Sequence, residues 1–339
     1  MYARSANTGE LPSVSVVIPT YGRRRRLPEV LCPLLADPAT HELIVVVDGC
    51  HDGSIELLDD LAATDARVMP VFVENAGAMA ARCTGVERAS GEVILILDDD
   101  VVAEAGLVAG HAGRHAEKQR LVVMGYMPVA EPAHDDLARF IGELYSREYE
   151  RTCLDHEADP RGILYRLWGG NVSLRRRDFL AVGLDARRSV PGYNADRDFG
   201  LRCLRAGLDG VFDRSLRARH LYERTLDGYL RDARDSGEST LGVHAAHGDV
   251  VGPYRPSFEG GLPLAGRLAI RASRRRAARA ILLPALRGVI GVGRSIRSSY
   301  LQRNALVLLG RIEQRRGAVE AVRRRRSAPS SLVTAAATQ

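Results

Sequence analysis

Three adjacent carboxylates, Asp98-Asp99-Asp100, stand directly after the apolar run VILIL. Side by side they repel one another and raise each other's pKa unless a cation sits among them. One aspartate would be enough to cap a helix from about Glu104, so the triplet asks for more than a turn. A hard divalent ion, Mg2+ or Mn2+, takes one or two carboxylates and completes its shell with phosphate oxygens. The expected chemistry is therefore a metal beside a phosphate-bearing ligand.

Other residues suit the same ligand. Asp48 follows a second apolar run, LIVVV, although Asp-Gly after a strand also makes an ordinary turn. A flat ring at Tyr21 could stack on a nucleobase while the Asp48 carboxylate accepts a base N–H. Arg82 lies on the helical stretch after Asn75-Ala76-Gly77 and faces either phosphates or solvent. Asp196 opens a helix, where the macrodipole favours its charged form; it reads as a cap or as a general base toward a hydroxyl. His220 follows a short strand, and a lone histidine is more often structural than a ligand.

The elements that must position these groups are legible from periodicity. Residues 14–18, 43–47, 71–73 and 93–97 are β-branched runs without polar alternation, as in strands buried on both faces of a parallel sheet. Helical stretches at 27–36, 54–64 and 77–89 separate them, with Pro28 and Ser54 as opening signals. The alternation predicts an α/β domain with right-handed crossovers. The carboxyl ends of its strands then share one rim, where ligands bind. Beyond it, 121–129 reads as a strand, 135–153 as an amphipathic helix, NVSL after Trp168-Gly169-Gly170 as a strand, and 196–207 as a helix ending at Gly207. Residues 211–213 read as a short strand, and ARHLYERT carries His220 into a further helix.

The charge is uneven. Residues 261–339 hold 17 arginines, no lysine and two acids, Glu313 and Glu320, whereas the whole chain carries only +6, so the first 260 residues are net acidic. From Pro284, Leu286, Val289, Gly293, Ile296 and Tyr300 keep helical spacing, and Leu301, Ala305, Leu308 and Ile312 continue it in a second register. Such basic amphipathic helices suit an anionic membrane surface or packing on protein. The organisation expected is two halves of one α/β domain (1–110 and 111–245), then a basic amphipathic helical extension (246–326) and a disordered tail (327–339).

Composition and motifs exclude several classes. An apolar share of 45% against 27% charged rules out global disorder. Five scattered cysteines with no C-x-x-C pair rule out a disulfide framework and argue against structural zinc. No apolar stretch reaches the ~20 residues of a membrane span, and the opening MYARSANTGELPS lacks a secretory core, so the expected place is the cytoplasm, with peripheral attachment at the inner membrane face as an option. A dinucleotide oxidoreductase wants G-x-G-x-x-G after its first strand, where this chain has PTYGRRRR. A sugar nucleotidyltransferase wants a glycine-rich phosphate loop at the same place. The alternative that remains is a non-catalytic protein binding nucleic acid or an anionic surface through its arginines; no nucleic-acid motif appears, and the acidic body opposes a polyanion.

The segments SVVIPTYGR, VVVDGCHDGS, ENAGAMAAR, LILDDDV, GGNVSLRR and NADRDFGLRCLRAG, in this order over residues 13 to about 240, resemble family 2 glycosyltransferases of the GT-A fold. The resemblance implies a Rossmann-like, mostly parallel sheet flanked by helices, and a metal-dependent, inverting transfer from a nucleoside-diphosphate sugar to an acceptor hydroxyl. It gives residues 1–110 the nucleotide-sugar-binding role and residues 111–245 the acceptor-binding role. Pro19, Thr20, Tyr21 and Asp48 match positions holding the nucleotide, with Asn75, Gly77 and Arg82 beside them. Asp98 matches the first acid of a D-x-D motif, near the ribose together with Asp99, and Asp100 the second acid, on Mn2+ or Mg2+. His220 matches a histidine that approaches the metal in some relatives. Trp168, Gly169, Gly170 and Asn171 match a loop lining the donor sugar or acceptor, and Asp196 the catalytic base. Ala195 stands where the family usually has glutamate, so one acceptor or sugar contact is absent here. UDP is the donor nucleotide favoured by analogy, with dTDP and GDP open; the acceptor and the oligomeric state are not specified.

Overall fold

The computed structural model describes residues 10–130, 136–183, 190 and 192–327. They fall into two compact units. The first comprises residues 1–131, 146–189 and 196–222, and the second 132–145, 190–195 and 223–339.

In the first unit the chain alternates β1 (Val14–Thr20), α1 (Leu27–Ala36), β2 (Thr40–Asp48), α2 (Ser54–Thr64), β3 (Val68–Val73), α3 (Ala78–Arg88) and β4 (Val93–Leu97). β1 and β4 are buried along their whole length, as strands covered on both faces must be. β5 (Val101–Ala103), α4 (Leu107–Glu117), β6 (Leu121–Tyr126), α5 (Asp136–Ala158), β7 (Asn171–Arg175), α6 (Arg176–Val182), α7 (Ala195–Arg205) and β8 (Asp209–His220) follow, with a 3-10 turn at Pro160–Tyr165. α5 begins among the second unit's residues and ends in the first.

The strands form one sheet in the order β3-β2-β1-β4-β7-β6-β8-β5. β1, β2, β3 and β4 are parallel, and the expected rim at their carboxyl ends is formed. β7 then enters antiparallel to both β4 and β6, so the sheet is mixed. Apolar content carries burial but not strand direction, which is why this reversal could not be read from NVSL.

Three expectations need correction. The strand at 211–213 lies near the start of the twelve-residue β8, and His220 closes that strand rather than entering a helix. The next helix starts at Leu226, with the Thr225 hydroxyl accepting the Gly228 N–H at 3.1 Å as its cap. Ser54 is the first residue of α2 rather than its N-cap, which is Gly53; Asp52, one residue earlier, accepts the Ser54 N–H at 3.1 Å and its hydroxyl at 2.6 Å.

The second unit contains α8 (Leu226–Ala246), α9 (Gly248–Val251), α10 (Leu264–Ala272), α11 (Arg276–Ser295) and α12 (Ser299–Ser327). α8 and α12 meet backbone to backbone. A Cβ at Gly317 would overlap the Arg234 carbonyl oxygen, and one at Gly237 the Gln314 carbonyl oxygen. The buried row of α12 is Ala305, Leu306, Leu309, Ile312, Ala318 and Ala321, so Leu308 is half-buried beside the stripe rather than in it. Pro284 lies within α11, not at its start. Of the expected disordered tail, Ser327 ends α12 and the rest lies outside the described residues. Among the described residues no helix is long and apolar enough to cross a membrane.

Candidate active site

The rim of the first unit gathers acids from separate elements around two arginines. The three aspartates after β4 turn to different hydrogen-bond partners, while Arg23 lies near both Asp99 and Asp100. Asp98 accepts from Arg82 Nη2 at 2.7 Å. Asp99 accepts from the Thr20 hydroxyl at 2.9 Å and the Tyr21 N–H at 3.3 Å. Asp100 lies 3.3 Å from His220 Nε2 and 3.5 Å from Arg23 Nη2. Burial, then the charge of Asp100, pushes the Asp99 carboxyl up to about 6.

Arg82 is the centre of the arrangement. It is buried on α3, and its Nη1 reaches Asp196 at 2.6 Å while Nη2 holds Asp98. Burial opposes its charge, but the carboxylates of Asp196 and Asp98 more than compensate and raise its pKa above the ordinary arginine value. Asp196, on the first turn of α7, also accepts the Gly169 N–H at 3.0 Å. Glycine is required there: a Cβ on Gly169 would overlap Asp196 Oδ1, and one on Gly170 would sit 2.8 Å from Asp98 Oδ2. The Gly169-Gly170 backbone is thus laid directly along the two carboxylates that Arg82 joins.

The Asp48 carboxylate ties down the loop after β3. Its oxygens accept the N–H groups of Ala76 at 2.8 Å and Gly77 at 2.9 Å. Asn75 and Gly77 are exposed at this loop, and Tyr21 presents an exposed ring at the end of β1. Pro19 is buried within β1, opposite Val46. Trp168 is half-buried, with its ring 4.9 Å from that of Tyr149. Ala195 opens α7 immediately before Asp196 and brings no acid.

Asn171 is not brought to the rim. Its side chain is fully buried, donating to the Leu216 carbonyl at 3.2 Å and lying 3.0 Å from His111 Nε2. Sequence reasoning missed that polar core. His111 and His115, one turn apart on α4, both meet the Ser173 hydroxyl at 2.8 Å. Burial pushes the first down to about 4 and the second to about 3. Arg23 was missed as well, although a run of four arginines directly after a strand end was the available signal.

Among the described residues no group of three or more His, Cys, Asp or Glu side chains is gathered for a metal. Asp100 and His220 make a pair, one hard oxygen and one imidazole nitrogen, both nearly buried. That donor set fits a divalent ion which takes its remaining ligands from phosphate oxygens.

The mixed sheet with its acidic rim is that of the GT-A glycosyltransferases. The mannosyltransferase PcManGT of Pyrobaculum calidifontis, solved with GDP-Man and Mn2+, superposes with a TM-score of 0.56 over 92% of this chain and 88% of its own, at 15% identity. Residues 15–177 match the family described as Glycosyl transferase family 2. Among similar proteins are the uncharacterized glycosyltransferase YfnE of Bacillus subtilis, 29% identical over 57% of this chain and 61% of that protein, and the glucosyl-dolichyl phosphate glucuronosyltransferase of Haloferax volcanii, 29% identical over 50% and 55%. The chain thus spans about three fifths or less of the length of these two relatives.

Proposed function

We propose that the chain transfers a sugar from a nucleoside-diphosphate donor, UDP first among the candidates, to an acceptor hydroxyl with inversion at the anomeric carbon. The observation that carries this reading is the Arg82 bridge, which sets Asp196 and Asp98 on either side of one guanidinium at 2.6 and 2.7 Å. A carboxylate fixed beside the donor-side acids can receive a proton from a hydroxyl placed against the sugar. The acceptor oxygen attacks the anomeric carbon, its proton passes to Asp196, and the bond to the diphosphate breaks on the opposite face. Thr20, Tyr21 and Asp48 bind and orient the nucleotide. Asp100 and His220 would hold a divalent ion, Mn2+ or Mg2+, and such an ion when bound neutralises the departing diphosphate as a Lewis acid.

The acceptor we favour is lipid-linked, as the printed name of the Haloferax relative indicates for that protein. Leu264 and Leu268 on α10, Ile281, Val289 and Val292 on α11, and Ile296 and Tyr300 just beyond it are exposed among arginines. Apolar side chains interleaved with cations suit an anionic bilayer surface, which would make the protein peripheral on the cytoplasmic face.

The test is thermal unfolding with UDP, GDP and dTDP, each with and without Mn2+. A ligand at 100 times its Kd stabilises by about 2.7 kcal/mol, so one nucleotide should raise the Tm selectively, and more so with Mn2+. Asp100→Asn should lose the Mn2+-dependent part alone. An equal response in that variant refutes the metal role, and silence from every nucleotide refutes the donor reading.

A further inference from the structure

The second unit contains a cavity of about 370 Å³ lined by Arg274, Arg276, Arg279, Arg315, Arg316 and Arg323 together with Glu320. Its volume lies within the ~300–1,000 Å³ range of small-molecule sites. Arg276 and Arg279 come from the first turn of α11, Arg274 from just before it, and the remaining arginines from one face of α12.

Elsewhere on these helices four arginines pair with acids. Arg271 pairs with Glu259 at 3.0 Å, Arg287 with Asp227 at 2.7 Å, Arg303 with Glu143, and Arg324 with Glu238. In the cavity Glu320 is shared between Arg316 and Arg234. Arg274 approaches Glu259 only to 3.8 Å, and Arg279 has the Ser273 carbonyl at 3.5 Å. Among the described residues no ion pair reaches Arg276, Arg315 or Arg323. Burial, then the charges of Arg274 and Arg279, lowers the Arg315 pKa. α11 also begins without a capping side chain and without an acid in its first turn, so its N-terminal dipole adds to the positive field. Like charges held together around a partly open pocket are a cost in the free protein that a multivalent anion would remove.

We propose that this cavity binds a phosphate-bearing group, a phosphomonoester or a diphosphate. Guanidinium forks match phosphate oxygens two at a time, and several forks around one cavity suit an anion of two or more charges. A pocket of this volume suits a compact group better than the backbone track of a nucleic-acid strand. The phosphate comes from a soluble ligand or from a lipid headgroup. The proposal does not depend on the transfer reaction proposed above.

The experiment uses inorganic pyrophosphate with the full chain in EDTA, which removes the metal-assisted route to the rim. Pyrophosphate should raise the Tm of the wild type and of Asp100→Asn alike. Arg279→Gln/Arg315→Gln should weaken its binding at least about tenfold, and Arg279→Lys/Arg315→Lys should recover part of it. Without ligand, the glutamine variant should unfold no lower than the wild type, because the exchange relieves repulsion. Vesicles containing phosphatidic acid decide the source: sedimentation lost in the glutamine variant assigns a lipid headgroup, and sedimentation unchanged between the two proteins assigns a soluble phosphate. Equal pyrophosphate responses in wild type and glutamine variant, or none in either, overturn the proposal. So does a variant-sensitive response to a single-stranded oligonucleotide with none to pyrophosphate.

Discussion

Replacing Gly169 by alanine tests the rim with a single methyl group. The backbone at 169 is not in the left-handed region, so alanine adds no strain of its own. The new Cβ would overlap Asp196 Oδ1 and sit 2.6 Å from Cγ and 2.8 Å from Oδ2. Ordinary contact begins near 3.4 Å, so the Asp196 carboxylate must retreat by about 1 Å. That retreat breaks the 2.6 Å pairing with Arg82 or rotates both groups together. Misplacing a reacting group by ~1 Å costs on the order of 100-fold in rate, about 2.7 kcal/mol of barrier. With the donor found by thermal shift, kcat for nucleoside diphosphate release should fall about 100-fold while the Tm response to the nucleotide is kept. Gly162→Ala, where a Cβ meets nothing within 4 Å, is the matched control. If the loss acts through Asp196, Gly169→Ala should add little on top of Asp196→Asn. A Gly169→Ala enzyme with kcat within twofold of wild type would refute the assignment of Asp196, as would full additivity of the two changes.

Two further outcomes concern stability. His111 and His115 are held neutral in the fold at about 4 and about 3, against ~6.5 when unfolded. Below pH 6.5 the unfolded chain therefore binds more protons, and stability falls with falling pH by up to ~1.4 kcal/mol per unit for each histidine. Asp99, up at about 6, works in the opposite sense between pH 6 and ~3.8 and makes the net slope shallower. Urea midpoints between pH 7.5 and 5.0 should show the loss, and Asp99→Asn should steepen it; a flat wild-type profile would contradict the buried neutral pair. In the second unit Gly317→Ala drives a methyl into the Arg234 carbonyl and should cost about 1–3 kcal/mol in thermal unfolding. Gly288→Ala on α11, with open space around it, should instead stabilise by about 0.5–1 kcal/mol; equal effects at both positions would mean that α8 and α12 do not meet as described.

What could be read from the chain alone follows the range of the physics. The first four strands and the helices between them came from uninterrupted β-branched runs, a local signal tied directly to burial. The triplet 98–100 announced itself by charge density, yet its division among Arg82, Thr20 and His220 depends on contacts that no local pattern carries. In β8 the apolar run ends at Phe212, and alternation with charged residues hides the rest of the strand. Leu216, Ala218 and His220 are in fact the buried face of an alternating strand, with Arg217 and Arg219 outward. β5, three residues long, is too short to register in any window. The arginines of the C-terminal helices are visible as a composition, but only folding gathers Arg274, Arg276, Arg279, Arg315, Arg316 and Arg323 around one cavity.

The Arg82 bridge spans very different lengths of chain. Asp98 lies 16 residues from Arg82 and Asp196 lies 114 away. Closing the short loop costs little entropy and the long one more, so the first carboxylate is in hand well before the second. A nascent chain can therefore close the Asp98 arm of the bridge early, but the Asp196 arm only after α7 has been made and docked. With Asp196 as the proton acceptor proposed above, that role becomes available only once more than half of the chain has been synthesised.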